Sequence, residues 1–255
     1  MPSTATLDHP VISNSEWQRA CGELLLKEKE LTRQSEELSR LRRELPWTRV
    51  EKQYVFDSPQ GPLSLSDLFN GRSQLATYHF MFGPEWTEGC PGCSYVTDHI
   101  NGTLEHLRAR DLSLVLVSRG PLDRLLAFKR RMGWHLPWVS SAGSDFNHDF
   151  GVSFSKQEVQ SGVKSYNFNT TVPHDEENPG ISFFSKDSSG EVFHTYSTYG
   201  RGLESLMTTY AILDRSPKGR DEADLKPPMA WVRHHDKYEP TLQVAESCCH
   251  NKASH

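Results

Sequence analysis

A long stretch of helix-forming residues precedes the rest of the chain. Residues 14–45 contain one Gly and no Pro, and Pro46 ends the segment, because proline cannot continue a helix. A large apolar residue recurs every seventh position, at Trp17, Leu24, Leu31, Leu38 and Leu45. Glu28 and Ser35 occupy positions that a two-stranded coiled coil would fill with apolar residues. The pattern predicts a helical arm packed along its own domain or along a partner. A solvated charged helix and a homodimer through this helix both remain open.

From Trp47 onwards, short apolar segments alternate with segments of helical periodicity. Strands are predicted at 48–56, 73–82 and 111–118, with a short strand within 136–154 and a hairpin within 181–197. Helices are predicted from Cys90 to about Ala109, over 121–132 and over 203–214, and 64–69 is a short turn or helix start. Strand and helix therefore alternate twice before a hairpin and a closing helix. This order predicts an α/β domain with a thioredoxin-like fold, a central mixed sheet flanked by helices.

The same patterns predict three regions. These are a helical arm at 14–45, a thioredoxin-like domain at 47–215 and a polar, partly disordered C-terminal extension at 216–255. Residues 155–180 form a long connection rich in Ser, Asn and Thr. A connection of this length in a compact domain usually borders a site or is poorly ordered.

One short motif carries clear chemistry. Cys90-Pro91-Gly92-Cys93 stands where an apolar strand ends and a helix begins. A helix N-terminus stabilises a thiolate, so we expect Cys90 to be the exposed attacking cysteine. Cys93 lies nearly one turn further along the apolar face, within reach to resolve a mixed disulfide. Pro91 stiffens the turn, and Gly92 leaves room for a partner's backbone or a ligand. We therefore interpret Cys90 and Cys93 as catalytic, and Pro91 and Gly92 as substrate-binding.

Two other interpretations of the cysteine pair remain. A zinc site would need two further ligands, but no second CxxC motif follows and the nearby His79 and His99 stand singly. The pair could also lie in a ligand pocket without redox turnover. We predict neither a metal site nor a cofactor.

Pro179 is a further candidate for substrate binding. Asn178-Pro179-Gly180 leads directly into the apolar segment ISFFS. In thioredoxin-like proteins a cis-proline begins the strand that faces the CxxC motif and presents its backbone to the substrate. The position predicts that role for Pro179, with an ordinary trans proline as the alternative.

Longer motifs resemble a known family. They are HFMFGPEWTEGCPGCS, VSRGPLDRLLAFKRRMGWHLPWVSS, SDFNHDFGVSF and VFHTYSTYGRGLE, with KEKELTR upstream and SPKGRDE downstream. Together they are similar, over roughly residues 14–240, to the thioredoxin-like family catalogued as domain of unknown function 899. The resemblance implies a thioredoxin-like fold and a dithiol-disulfide oxidoreductase that uses Cys90 and Cys93. SLSDLF, LVLVS and HDFGV resemble the peroxiredoxin branch more distantly.

Trp86 departs from the thioredoxin pattern. It stands four residues before Cys90, whereas thioredoxin's WCGPC places the tryptophan next to the cysteine. We retain Trp86 as a candidate substrate-binding residue.

Other residues could serve a different chemistry. His79, His135, His148 and His194, with nearby Trp and Tyr side chains, could form a pocket near the cysteines. Asp145 and Asp149 are candidate acid/base groups, although turn and capping roles suit them better. Cys21 is interpreted as an ordinary helix residue, and the vicinal Cys248 and Cys249 lie on the polar tail.

Composition excludes several classes of protein. The net charge is −5 with no basic patch, which argues against a nucleic-acid partner. The longest apolar stretches are far shorter than the ~20 residues that span a bilayer, and the N-terminus MPSTATLDHP has no signal-peptide pattern. Five cysteines, an odd number, argue against a disulfide-stapled secreted protein. We therefore expect a cytoplasmic protein without a membrane partner.

Three hypotheses follow. The main one is a thiol–disulfide oxidoreductase acting on a protein or small-molecule thiol or disulfide. The alternative is a small-molecule enzyme or binding protein with a His/aromatic pocket, in which the cysteines do not turn over. A structural role through the 14–45 helix, including a homodimer, is the third.

Overall fold

A computed structural model describes residues 9–239. A six-stranded sheet forms its centre, in the order β1-β8-β7-β4-β5-β6. The strands are β1 Thr48–Arg49, β4 Gln74–His79, β5 Leu112–Ser118, β6 Trp138–Ser140, β7 Gly180–Lys186 and β8 Val192–Tyr199, and β2 Val55–Phe56 pairs with β3 Leu63–Ser64 in a separate ribbon. The helices are α1 Asn14–Glu44, α2 Pro91–Ile100, α3 Leu104–Ala109, α4 Leu122–Arg131, α5 Phe146–Asp149, α6 Lys156–Gln160 and α7 Thr208–Leu213.

The sheet is mixed. Strands β4, β5 and β6 run parallel, whereas β7 and β8 pair antiparallel and join the sheet through β4. Parallel neighbours require crossover connections, and α2 with α3, and then α4, supply them. This central mixed sheet with flanking helices is the predicted thioredoxin-like fold.

Alternation along β4 separates two apolar faces. Ala76 and Tyr78 point into a cluster that includes Cys93 of α2 and Phe128 of α4, and we call this side the cysteine face. Leu75 and His79 point to the opposite face, where Phe146 and Phe184 are buried. Both faces of β4 are covered, which explains its nearly unbroken apolar sequence.

The predicted elements on both sides of the cysteine motif are present. Strand β4, helix α2, strand β5 and helix α4 all fall within the ranges predicted for them. A 3-10 turn at Asn101–Thr103 interrupts the helix predicted to reach Ala109, and Gly102, a poor helix former, lies in that turn. The helix predicted over 203–214 is also divided, into a 3-10 helix at Gly200–Leu206 and the short α7.

Helix α1 is present but does not pack as an arm along the domain. It has 31 residues and no buried side chain. Near its C-terminal end the Arg42 guanidinium lies 5.4 Å from the centre of the Tyr196 ring on the sheet. A capping box at Ser13 and Glu16 starts the helix. Ion pairs along it include Arg40 with Glu37 at 2.7 Å. Within residues 9–239, none of the helices combines the length and the apolar character that a bilayer crossing requires.

Candidate functional site

Cys90 lies at the junction that joins the sheet to α2. It is the N-cap of that helix, and Pro91 is the first helical residue. The Cys90 N–H donates to the Met81 carbonyl at 3.1 Å. The Ser94 N–H and hydroxyl both donate to the Cys90 carbonyl at 2.9 Å. Hydrogen bonds therefore hold the backbone of Cys90 on both sides, while its side chain is half-buried.

The surroundings of Cys90 favour its thiolate. The Cys93 thiol and the Gly92 and Cys93 N–H groups donate to the sulfur, and the pKa of Cys90 falls from 9.0 to about 7. Partial burial and the Asp175 carboxylate act against this lowering. At neutral pH a large fraction of Cys90 is therefore the nucleophilic thiolate.

Cys93 has the opposite environment. It is buried on the cysteine face, with 2% of its surface exposed, and burial raises its pKa well above the ordinary value. The Met81 N–H points at its sulfur from 3.4 Å, and the Tyr78 hydroxyl faces the same sulfur. The two cysteines are therefore chemically unequal at neutral pH.

Gly89 fixes the approach of the chain to Cys90, and sequence reasoning missed it. A Cβ at Gly89 would lie 2.5 Å from the Phe80 ring and 2.9 Å from the Phe128 ring. Both rings belong to the packed core, so neither can move away cheaply. The residue before Cys90 must therefore be Gly, a requirement set by distant side chains that no local pattern reveals.

Pro91 and Gly92 flank Cys90 on the outer side of the helix start. Pro91 is exposed and Gly92 is half-buried. A Cβ at Gly92 would meet the Cys90 sulfur at 3.7 Å and the Met229 methyl group at 3.9 Å, which are ordinary contacts. A Cβ would therefore fit at this position without a clash. With Gly92 the corresponding space between Cys90 and Met229 stays open.

Trp86 lies in the loop between β4 and α2. Its ring covers Gly83, where a Cβ would approach the indole nitrogen to 2.9 Å, and packs against the cysteine-face cluster. The Arg124 guanidinium donates to the Trp86 carbonyl at 3.4 Å. Trp86 is half-buried and fixed within the loop.

Pro179 does not have the predicted cis bond. The cis peptide within residues 9–239 is Lys226–Pro227, so the Asn178–Pro179 bond is trans. Hydrogen bonds hold the segment instead: the Tyr166 hydroxyl donates to the Pro179 carbonyl, and the Asn178 amide donates to the Asp175 carbonyl at 2.7 Å. This satisfies the backbone of the 155–180 connection with Pro179 in the common trans form. The connection is ordered and carries Asp175 to the neighbourhood of Cys90.

A segment from the predicted C-terminal extension also reaches the site. We call residues 228–238 the C-terminal strap, since they pack across the start of α2. Met229, Trp231 and Val232 join the cysteine-face cluster. The buried His234 donates from Nε2 to the Gly89 carbonyl at 2.8 Å. Lys237 pairs with Glu88 at 2.7 Å. The strap therefore holds the two residues that immediately precede Cys90.

The predicted His/aromatic pocket is not formed over the cysteines. His79 is buried on the opposite face, with its ring 5.6 Å from that of Phe146. Its Nε2 bonds the Ser182 hydroxyl at 2.8 Å, Ser182 bonds Ser197 at 2.7 Å, and Ser197 bonds Nε2 of His194 at 2.7 Å. Burial lowers the pKa of His79 to about 3. This buried row of hydrogen bonds links three strands on the side away from Cys90.

The remaining histidines and aromatic residues also lie apart from a shared pocket. His148 bonds the Ser153 carbonyl at 2.9 Å, and His135 borders a surface cavity of about 520 Å³ beside α3 and β6. Trp134 and Trp138 are buried in the core. We find no arrangement in the described residues that would bind a small molecule through these groups and the cysteines together.

The other candidates have structural roles or lie elsewhere. Lys52 binds Asp145 at 2.8 Å and Asp149 at 2.7 Å, so these carboxylates tie the segment before β2 to α5. Cys21 is half-buried on α1. Cys248 and Cys249 lie outside the described residues. Among residues 9–239, no group of three or more His, Cys, Asp and Glu side chains is arranged to hold a metal ion.

Comparison with solved structures gives distant similarities. Peroxidoxin BcpB from Mycobacterium tuberculosis is 16% identical, with 67% of this chain and 97% of that chain covered and a TM-score of 0.43. A mutant of PrxQ from Xylella fastidiosa is 13% identical, with coverage of 65% and 94% and a TM-score of 0.42. A putative thiol:disulfide interchange protein DsbE from Chlorobium tepidum is 13% identical, with coverage of 65% and 98% and a TM-score of 0.39.

A comparison with curated proteins gives no match. A family model does match, and it spans residues 6–238, from before α1 to the end of the strap. Its match covers nearly the whole chain, including the cysteine motif and both of its flanking regions. The chain therefore belongs to the DUF899 family, described as bacterial proteins of unknown function.

Proposed function

We propose that the protein is a thiol–disulfide oxidoreductase that works through Cys90 and Cys93. The observation that supports this most is the inequality of the two thiols. Cys90 is half-buried at a helix N-terminus with its pKa lowered to about 7, whereas burial keeps Cys93 protonated one turn along. An accessible thiolate beside a protected thiol suits an attacking and resolving pair.

The reaction proceeds in two exchanges. The Cys90 thiolate attacks one sulfur of a substrate disulfide, forms a mixed disulfide and releases the other half as a thiolate, which takes a proton from water. Cys93 then attacks the Cys90 sulfur, and the proton that Cys93 loses ends on the departing substrate thiol. The substrate disulfide gains two electrons, and Cys90 and Cys93 become a disulfide. A reducing thiol drives the same steps in reverse.

The substrate is a protein or small-molecule thiol or disulfide, in the cytoplasm. Pro91 and Gly92 flank the attacking sulfur, and Gly92 leaves a gap of about one methyl group between the Cys90 sulfur and Met229. Trp86, in the loop before α2, and Pro179, immediately before β7, are the further residues that we propose for substrate binding. No cofactor takes part.

Redox titration and alkylation test this function. We expect a reversible two-electron couple in glutathione buffers, lost in Cys90→Ser and in Cys93→Ser. The potential sets the direction of the reaction, since about 30 mV corresponds to a tenfold change in the equilibrium. Alkylation of Cys90 by iodoacetamide should rise with a midpoint near pH 7.

Cys93→Ala provides the matching control for the alkylation profile. Since the Cys93 thiol is the largest cause of the lowered pKa of Cys90, its removal should move the midpoint towards the ordinary value of 9.0. If both serine variants match the parent in disulfide-exchange and peroxide assays, the proposed function is wrong.

A further inference from the structure

Tyr78 places a hydroxyl in the core with no hydrogen-bond partner. The residue lies on β4, on the cysteine face, with 0% of its surface exposed. Its Oη is buried and makes no hydrogen bond to any atom of residues 9–239. Buried hydroxyl groups nearly always have a partner, because leaving one unpaired costs free energy. The unpaired hydroxyl of Tyr78 therefore points to a hydrogen bond that forms only during the reaction.

The group that faces the Tyr78 hydroxyl is the Cys93 thiol. Both side chains lie in the packed cluster of the cysteine face, and each shifts the pKa of the other. The neighbouring Tyr166 hydroxyl is already engaged, since it donates to the Pro179 carbonyl and accepts the Gly200 N–H at 2.9 Å. Tyr78 thus holds the free hydroxyl beside the buried sulfur.

The protonation states suit a donor and an acceptor. Burial raises the pKa of Tyr78 well above 10.0, so the hydroxyl keeps its proton. Burial also raises the pKa of Cys93, and the nearby Tyr78 hydroxyl lowers it. A neutral thiol is a weak acceptor, whereas a thiolate is a strong one. The interaction therefore strengthens when Cys93 becomes charged.

We propose that the Tyr78 hydroxyl donates a hydrogen bond to the sulfur of Cys93 as negative charge develops there. The inference rests on the proposed function and adds a catalytic residue to it. In the resolving step Cys93 loses its proton to the departing substrate thiol and bonds to the Cys90 sulfur, while Tyr78 keeps its own proton. In reverse, Cys93 leaves as a thiolate, which Tyr78 stabilises until the sulfur is protonated.

The test separates attack from resolution. A symmetric aromatic disulfide, dithiobis(nitrobenzoate), releases one coloured thiolate when Cys90 attacks and a second when Cys93 resolves the mixed disulfide. We expect Tyr78→Phe to release the first at the parental rate and the second about tenfold more slowly. The pH at which the second phase reaches half its maximum should move upwards, because the pKa of Cys93 rises.

Tyr95→Phe is the matched control. The Tyr95 hydroxyl is also buried and unpartnered, and its ring belongs to the same cluster, but the ring packs against His99 at 4.6 Å. We expect both phases of this variant to match the parent. Parental second-phase kinetics in Tyr78→Phe, or equal slowing of both phases, overturns the role of Tyr78. Absence of the first phase in the parent chain overturns the proposed function itself.

Discussion

The N-terminal helix α1 and the C-terminal strap are both polar segments outside the sheet, but they differ in how far their side chains are buried against the core. Helix α1 buries none of its 31 residues. The strap, with about a third of that length, buries Val232 and His234 and packs two further apolar side chains onto the core. Composition alone would treat the two segments alike. The comparison teaches that a few anchoring residues, not overall polarity, decide whether a terminal segment belongs to the functional unit.

The largest expected difference is between two tryptophans. Trp231→Ala removes a ring that packs 5.7 Å from Tyr95 and whose indole N–H donates to Glu222, so we expect a loss of about 3 kcal/mol in the free energy of unfolding. Trp17→Ala on α1 removes a ring that is 57% exposed, and should cost less than about 0.5 kcal/mol in the dissociated monomer. Urea unfolding measures both, and equal costs would contradict the comparison.

Neighbouring histidines of the strap give the next effect. His234→Ala leaves the Gly89 carbonyl without its donor, which should cost about 1–3 kcal/mol and change the alkylation rate of Cys90. His235→Ala is the control, since that side chain is exposed and bonds Asp98 at 2.8 Å. Unfolding and alkylation should respond only to His234→Ala. An unchanged Cys90 rate would mean that the strap does not position the cysteine.

Surface ion pairs should contribute less in both regions. Lys237→Met on the strap and Arg33→Met on α1 each remove one pair, and each should cost under about 1 kcal/mol. Lys237 lowers the pKa of Glu88 below 4.5. The ion pair between Lys237 and Glu88 therefore stabilises the fold above the ordinary pKa of 4.5. This stabilisation is lost as the pH falls through the lowered pKa of Glu88. Unfolding at neutral and acid pH checks this, and an effect that persists in acid would contradict it.

Removal of α1 should have the smallest effect on the domain. A chain beginning at Pro46 should keep the parental alkylation rate and, at protein concentrations low enough to dissociate the dimer, the parental unfolding free energy within about 0.5 kcal/mol. The exposed leucines at positions 24, 31 and 38 support the proposed homodimer through this helix. Light scattering should therefore give a dimer for the full chain and a monomer for the shortened one. A monomeric full chain would rule out the dimer.

The sequence was most informative where structure depends on neighbours along the chain. The apolar run of β4, the Pro91 helix start and the spacing from Cys93 to Leu104 are local, so the β4–α2 junction could be predicted. Leu203, Leu206 and Met207 predict one helix over 203–214, but the chain there forms a 3-10 helix followed by the short α7. The spacing of apolar residues shows which face of a helical segment is buried. It does not show whether the segment forms one continuous helix.

The missing parts of the site depend on contacts between distant segments. Gly89 is required by Phe80 and Phe128, and His234 reaches it from 145 residues further along the chain. Pro179 could be placed at the start of β7, but tertiary contacts decide its isomer. Tyr78 looked like any apolar strand residue, because only the packed structure shows that its hydroxyl has no partner.

The buried hydrogen bonds that run from His79 through Ser182 and Ser197 to His194 have a direction of donation. Each serine hydroxyl has one proton to donate, so Ser182 and Ser197 can supply two of the three links. One histidine must supply the third from an Nε2–H, while the other accepts at Nε2 and carries its proton on Nδ1. The two imidazoles are therefore held in opposite tautomers. The Nε2 of His194 also lies 3.2 Å from the Tyr196 carbonyl, which can only accept. His194 therefore holds its proton on Nε2, Ser197 donates to Ser182, Ser182 donates to His79, and the proton of His79 lies on Nδ1.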